Sequence, residues 1–184
     1  MKRGSKLVLI GLAGVLAAAS TANAQYVFLG GGASLPMSDF KEFAKMGWIA
    51  QGGVGVDVGD KGLWVEAEAW YGSNKHKAPD DADKTNLLAV MGGVGYSFTP
   101  DKKLSPYVVG SAGMLQHKYV PGTGTSESEW NFAWAAGAGF GYKLSPKATF
   151  WVEGRFMDGG GEGSNFFIPI TAGVTINFGK SGGM

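Results

Sequence analysis

Two histidines, a handful of carboxylates and one arginine at strand spacing, and a set of lysines between apolar segments are the residues here whose types could do chemistry. With 0 cysteines, thiol nucleophiles, disulfides and thiolate metal sites are excluded. A hydrolytic site needs a nucleophile, a base and an orienting group held together. His117, in Leu115-Gln116-His117-Lys118-Tyr119, is a candidate base with Glu127 or Glu129 as its neighbour, but no serine follows it at close spacing. His76 lies between Lys75 and Lys77, where a solvated side chain is expected. Asp80, Asp81 and Asp83 could face a cation, yet they lack the glycine and distant glutamate of a dedicated calcium loop, so a solvated acidic turn is the expectation. Lys41, Lys45, Lys75, Lys77 and Lys84 are point charges suited to phosphate oxygens. No metal or cofactor is implied, and a net charge of +1 gives no electrostatic case for a nucleic-acid partner.

The remaining charges, Asp57, Glu66, Glu68, Glu153 and Arg155, sit inside apolar segments at period two, and what they can do depends on which face they occupy. The clearest such segment runs from Phe166 to Phe178. One face is Phe166, Ile168, Ile170, Ala172, Val174, Ile176 and Phe178; the other is Phe167, Pro169, Thr171, Gly173, Thr175 and Asn177. Strict alternation of this length marks a strand with two chemically different sides. An apolar outside and a small, polar inside over roughly 10 residues suit a tilted bilayer crossing.

Alternation and turn residues together predict eight strands, at 25–33, 47–58, 62–72, 86–98, 106–117, 129–143, 148–157 and 166–178. Links after even strands are short and carry Gly, Pro, Asp or Ser; links after odd strands are longer and more polar. That is the layout of an up-and-down barrel with short turns at one end and long loops at the other. In strand three, Glu66 and Glu68 share a face with Trp64 and Trp70, opposite Leu63, Val65, Ala67, Ala69 and Tyr71. Asp57, Glu153 and Arg155 likewise avoid the aliphatic stripe of their strands. An Arg or Lys facing lipid near the midplane costs roughly 2–4 kcal/mol, which lumenal placement avoids. Glycine, at 32 residues, recurs inside these strands, where it must be relieving crowding in a narrow lumen. Tyr96, Phe98, Tyr142, Phe150 and Phe178 fall near the short-turn ends, and Trp48, Trp130, Phe132 and Phe166 near the long-loop ends, as two interfacial belts would.

The N-terminus reads separately. Lys2, Arg3 and Lys6 precede the apolar run Leu7–Ala19, and Ala22-Asn23-Ala24 offers a small-residue cleavage site, so residues 1–24 read as a signal peptide. Residues 25–178 then form the barrel domain and 179–184 a short tail.

With those elements in place, the chain resembles the small eight-stranded outer-membrane barrels of Gram-negative bacteria, of the OmpA, OmpX and opacity-protein type. The resemblance covers residues 25–178 and rests on Gly137-Ala138-Gly139-Phe140-Gly141-Tyr142-Lys143-Leu144-Ser145-Pro146, then Phe150-Trp151-Val152-Glu153-Gly154-Arg155-Phe156, with Leu104-Ser105-Pro106-Tyr107-Val108 as the entry to strand five. It implies an all-β, antiparallel, up-and-down transmembrane barrel in the outer membrane. It also implies that Val174, Ile176 and Phe178 form the signal read by the outer-membrane insertion machinery, although six residues follow Phe178 here. The expected partners are outer-membrane lipid and lipopolysaccharide, the latter touched by the loop lysines, and the expected state is a monomer. The lumenal charges have two readings, an internal ion-pair plug or a cation-favouring pore lining; eight strands leave an interior that side chains about fill, which favours the plug. The expected function is a non-enzymatic structural or surface-interaction role through the long loops. A narrow channel for small solutes and a lipid A-modifying hydrolase are the alternatives.

Overall fold

The computed structural model describes residues 25–59, 61–160 and 166–178; the proposed signal peptide and the tail lie outside them. Eight antiparallel strands close into a barrel in simple chain order. They are β1 (Tyr26–Pro36), β2 (Gly47–Val58), β3 (Leu63–Lys75), β4 (Lys84–Ser97), β5 (Leu104–Val120), β6 (Glu127–Ser145), β7 (Ala148–Asp158) and β8 (Phe166–Asn177). Closure pairs β1 with β8 from Tyr26↔Asn177 to Pro36↔Phe167, so no open sheet edge remains between the first and last strands. One short helix, α1 (Ser38–Phe43), lies in the first long connection.

The two faces separate as the alternation requires. Leu29, Val90, Val94, Val108, Phe140, Ile170 and Ile176 stand exposed on the outside. A water-soluble surface does not carry a continuous apolar band of this kind. Among the described residues no helix is long and apolar enough to cross a membrane; the strands carry the apolar band instead. Trp48 and Tyr71 pack at 5.5 Å near the long-loop end, and Tyr96 and Phe98 at 5.4 Å near the short-turn end.

Several strands run further than alternation alone suggests: β1 continues to Pro36 and β3 to Lys75. β4 starts at Lys84, β5 continues to Val120 and β6 starts at Glu127, because the ladder goes on through Lys75↔Lys84 and Tyr119↔Glu127. These strands, up to 19 residues in β6, exceed the roughly 9–11 that a tilted crossing needs. The surplus lies at the long-loop end.

Glycine resolves the crowding inside. Trp151 of β7 spans the lumen beside Gly30 and Gly173, and a Cβ built on either glycine would lie 2.3 Å from its ring. A side chain at these positions would have to displace the indole, so small and large residues alternate around the tapering interior.

Candidate functional site

Arg155 is the hub of the interior. It projects inward from β7 between Glu153 on its own strand and Glu66 and Glu68 on β3, the strand four places away around the ring. Its Nε donates to Glu153 Oε1 at 2.7 Å and its Nη2 to Glu153 Oε2 at 3.2 Å, a two-point contact. Nη1 donates to Glu68 Oε1 at 2.8 Å and to Ser111 Oγ at 3.3 Å, while Nη2 also reaches Glu66 Oε1 at 3.3 Å. The Trp70 ring lies 5.1 Å from the guanidinium carbon. Further donors hold the carboxylates: Tyr107 Oη to Glu153 Oε2 at 3.1 Å, and Trp64 Nε1 to Glu66 Oε2 at 3.2 Å. Gln51 Nε2 donates to Thr171 Oγ1 at 2.9 Å and to Glu153 Oε1 at 3.3 Å, and its Oε1, buried, accepts from no protein donor.

Of the five charges read as lumenal, the structure thus gathers four. Asp57 stands apart, exposed near the short-turn end of β2, where its backbone N–H donates to the Gln25 side-chain oxygen at 3.1 Å. Gln51, Tyr107, Ser111 and Thr171 belong to the cluster and were not singled out from sequence. Their common signal is a polar residue on the glycine-rich inward face.

Above the cluster, toward the long loops, the lumen is packed with apolar side chains. Ile49, Trp70, Leu87, Leu115, Met157 and Phe167, all nearly or fully buried, form one continuous core contributed by strands around the ring. Phe40 of α1 drops into the mouth over this core, against Phe167 at 6.4 Å and stacked on His117 at 6.5 Å and 12°. Backbone bonds stitch the helix down on both sides: Met37 N–H to the Phe166 carbonyl, Lys77 N–H to the Phe43 carbonyl, and Lys45 N–H to the Lys75 carbonyl. From sequence this connection is expected only as one of the longer, more polar links. Its one helical sign is Phe40 and Phe43 three residues apart after Ser38-Asp39.

Below the cluster lies open space. A vestibule of about 1240 Å³ occupies the short-turn half, with Gln51, Glu66, Glu153 and Arg155 among its lining. The aromatic rings around it come in edge-to-face pairs, Phe28 with Trp151 (79°) and Trp64 with Tyr107 (76°). The barrel is therefore filled with apolar side chains on one side of Arg155 and hollow on the other.

At the long-loop end one of the two histidines departs from expectation. His76 was expected to be solvated because lysines flank it, but it is buried, its Nε2 is 2.9 Å from Thr85 Oγ1, and Phe43 and Tyr119 pack on its ring. The cause is alternation continuing past Asn74: Lys75 and Lys77 are exposed while the residue between them turns inward. His117 pairs across the ladder with Glu129 and its ring is committed to Phe40. Ser128 pairs with Lys118, on the opposite face from the His117–Glu129 rung, so it is not presented to the imidazole as a nucleophile. Asp83 is engaged rather than loosely solvated: it accepts from the Tyr119 hydroxyl and from the Gly122 N–H at 2.7 Å, tying the second long connection to the third. Those donors hold its carboxyl below the usual aspartate range. Among the described residues no cluster of His, Asp and Glu is arranged to hold a metal ion.

The five loop lysines divide into two groups. Lys41 lies in the last turn of the docked helix and Lys45 just beyond it, and Lys77 donates through Nζ to the Lys41 carbonyl at 2.5 Å. Lys75 and Lys84 face each other directly across β3–β4 on the outer surface. Lys118, which sequence reading left out, joins them from β5, where it pairs with Asn86 two residues along from Lys84. Among the described residues every ion pair belongs to Arg155, so this outward lysine patch has no carboxylate partner. It sits just beyond Tyr71 and Leu88, at the upper margin of the apolar band.

The chain matches a family model described as outer membrane protein beta-barrel domain over residues 7–179. No match was found among curated proteins. Among solved structures, neisserial surface protein A is similar, with a TM-score of 0.69 at 18% identity over 83% of this chain and 96% of that one. The N-terminal β-barrel domain of Pseudomonas aeruginosa OprF has a TM-score of 0.51 at 20% identity, over 84% of this chain and 98% of that one. Ail, the attachment invasion locus protein of Yersinia pestis, has a TM-score of 0.51 at 15% identity, over 84% and 99%. At these identities the likeness is one of fold.

Proposed function

Because the chain belongs to the outer membrane protein β-barrel domain family and is thereby an outer-membrane barrel, we propose that it is a non-enzymatic, non-conducting surface-interaction protein that engages lipopolysaccharide phosphates from its extracellular rim. The long-loop end is then extracellular and the short turns periplasmic. The observation that carries this reading is the outward patch of Lys75, Lys84 and Lys118. Like charges directly opposite on a sheet destabilise it, so an unpartnered lysine pair is better explained by an anion outside the barrel than by anything within it. Its height, immediately above an aromatic and apolar band, is where lipid headgroup phosphates lie. Lys41, Lys45 and Lys77, on the connections above, extend the same positive rim.

Replacing all three patch lysines with glutamine is expected to abolish most of the thermal stabilisation that added lipopolysaccharide gives the folded barrel. Lys102 and Lys147, in the periplasmic turns, serve as the control substitutions. Each phosphate contact near the surface is worth about 1 kcal/mol, so the triple variant should lose on the order of a hundred-fold in affinity. Equal stabilisation of the patch and control variants would remove the basis for this reading. The channel alternative is disfavoured by the apolar packing above Arg155, and the hydrolase alternative by the stacking of the His117 ring on Phe40. For insertion, the terminal strand is presented in the form the outer-membrane machinery would read: Val174, Ile176 and Phe178 are exposed on one outward face, and the Phe178 N–H is held by the Gln25 carbonyl at 2.7 Å.

A further inference from the structure

We propose that the periplasmic vestibule below Arg155 is a binding site for a small alkylammonium ion, a primary mono- or diamine. Its floor is chemically incomplete. Three buried carboxyl groups, Glu66, Glu68 and Glu153, share one guanidinium, so acidic groups outnumber cations here, and Glu66 and Glu153 line the cavity. Gln51, only 3% exposed, lines the cavity with a side-chain oxygen that accepts from no protein donor. Glu66, which lines the cavity, holds Trp64 and Arg155 at 3.2 and 3.3 Å, the longer end of the range, with the Tyr26 hydroxyl as a further neighbour. What is missing at this floor is positive charge that carries N–H donors.

The walls narrow the class. Tyr26, Phe28, Trp64, Tyr107 and Trp151 surround the space, and aromatic faces attract organic cations, while among the described residues the carboxyl groups are not arranged to hold a metal ion. An ammonium supplies three donors, which a quaternary ammonium cannot. The volume of about 1240 Å³ admits a short alkyl chain with its hydration, and among the described residues apolar packing closes the side away from the short turns. Asp57 and Asp101 stand nearer the mouth with Lys103 and Lys143, so the rim is mixed and the selectivity arises at the floor. This site is independent of the extracellular lysine patch.

The test uses the folded full chain in lipid nanodiscs, titrated with 1,4-diaminobutane and followed by tryptophan fluorescence and calorimetry. A saturable response is expected, with Glu66→Gln and Gln51→Leu each weakening it about ten-fold, the loss of one charge-assisted hydrogen bond or of its acceptor. Tetramethylammonium and sodium chloride at matched ionic strength should give no saturable response. An equal response to either salt would mean screening only and would overturn the proposal, as would undiminished binding in both variants or no saturation up to about 10 mM. Gln51→Leu removes no charge, so it carries the test if Glu66→Gln fails to fold.

Discussion

Arg155→Met is expected to cost about 3–5 kcal/mol, enough to shift the urea midpoint of the folded, heat-modifiable species severely or to prevent its formation. The size follows from what is left behind rather than from what is removed. Methionine fills the space adequately, but Glu66, Glu68 and Glu153 then lie together with no cation, in a lumen where their side chains are at most 7% exposed. Mutual repulsion and lost solvation act in the same direction. Adding Glu66→Gln, Glu68→Gln and Glu153→Gln to Arg155→Met should recover most of the stability, because neutral amides can hydrogen-bond to Tyr107, Trp64 and Ser111 without the charge penalty. If Arg155→Met alone is as stable as the parent, the ion-pair hub is not structural. If the neutral quadruple variant is no better than the single one, packing rather than charge explains the loss.

Phe40→Ala should release the extracellular lid while leaving the barrel folded. Removing a buried phenylalanine costs about 3–5 kcal/mol in a core that cannot collapse. Here that loss falls on an element with little of its own to resist it. α1 has six residues, its N-cap makes no side-chain bond, and Ser38 sits at φ 47°, a conformation non-glycine residues adopt reluctantly. The few backbone bonds to Phe166, Lys75 and Phe43 cannot offset the deletion. Limited proteolysis of intact cells should therefore cut between Met37 and Met46 in the variant and not in the parent, with heat-modifiable migration unchanged. Conductance should stay absent, because Trp70, Met157, Leu115 and Phe167 still fill the lumen beneath. Single-channel steps in Phe40→Ala would show that α1, not the packing below it, is the seal.

The barrel itself was legible because a bilayer enforces period two: a charged residue at the wrong phase would face lipid. Glu66, Glu68, Glu153 and Arg155 could be placed on the inner face for that reason alone. Which of them meet was not legible, since the shear of a closed barrel decides which rungs of β3 and β7 stand level, and alternation is blind to it. Asp57 shares the inner face but lies at the short-turn end of β2, paired with Trp64 one inward step beyond Glu66. His76 was misread because its lysine neighbours, one residue away on either side, report the opposite face. The docked helix escaped notice because six residues are too few for a 3.6-residue period to show itself. Lys118 was missed at a strand end, where three more residues of ladder turned an apparent loop lysine into part of an outward patch.

The contact between Glu68 and Arg155 joins residues 87 apart in sequence on diametrically opposed strands. It cannot exist in an open sheet, however complete the neighbouring ladders are. It forms only once β1 has met β8 and the ring has closed. In kinetic terms such a strut is absent from any transition state that precedes closure. Substitutions at Arg155 should then act chiefly by accelerating unfolding, with insertion from the periplasm proceeding at nearly the parent rate. The hub would thus work as a latch set after assembly, which sustains a finished barrel for long periods without slowing its construction.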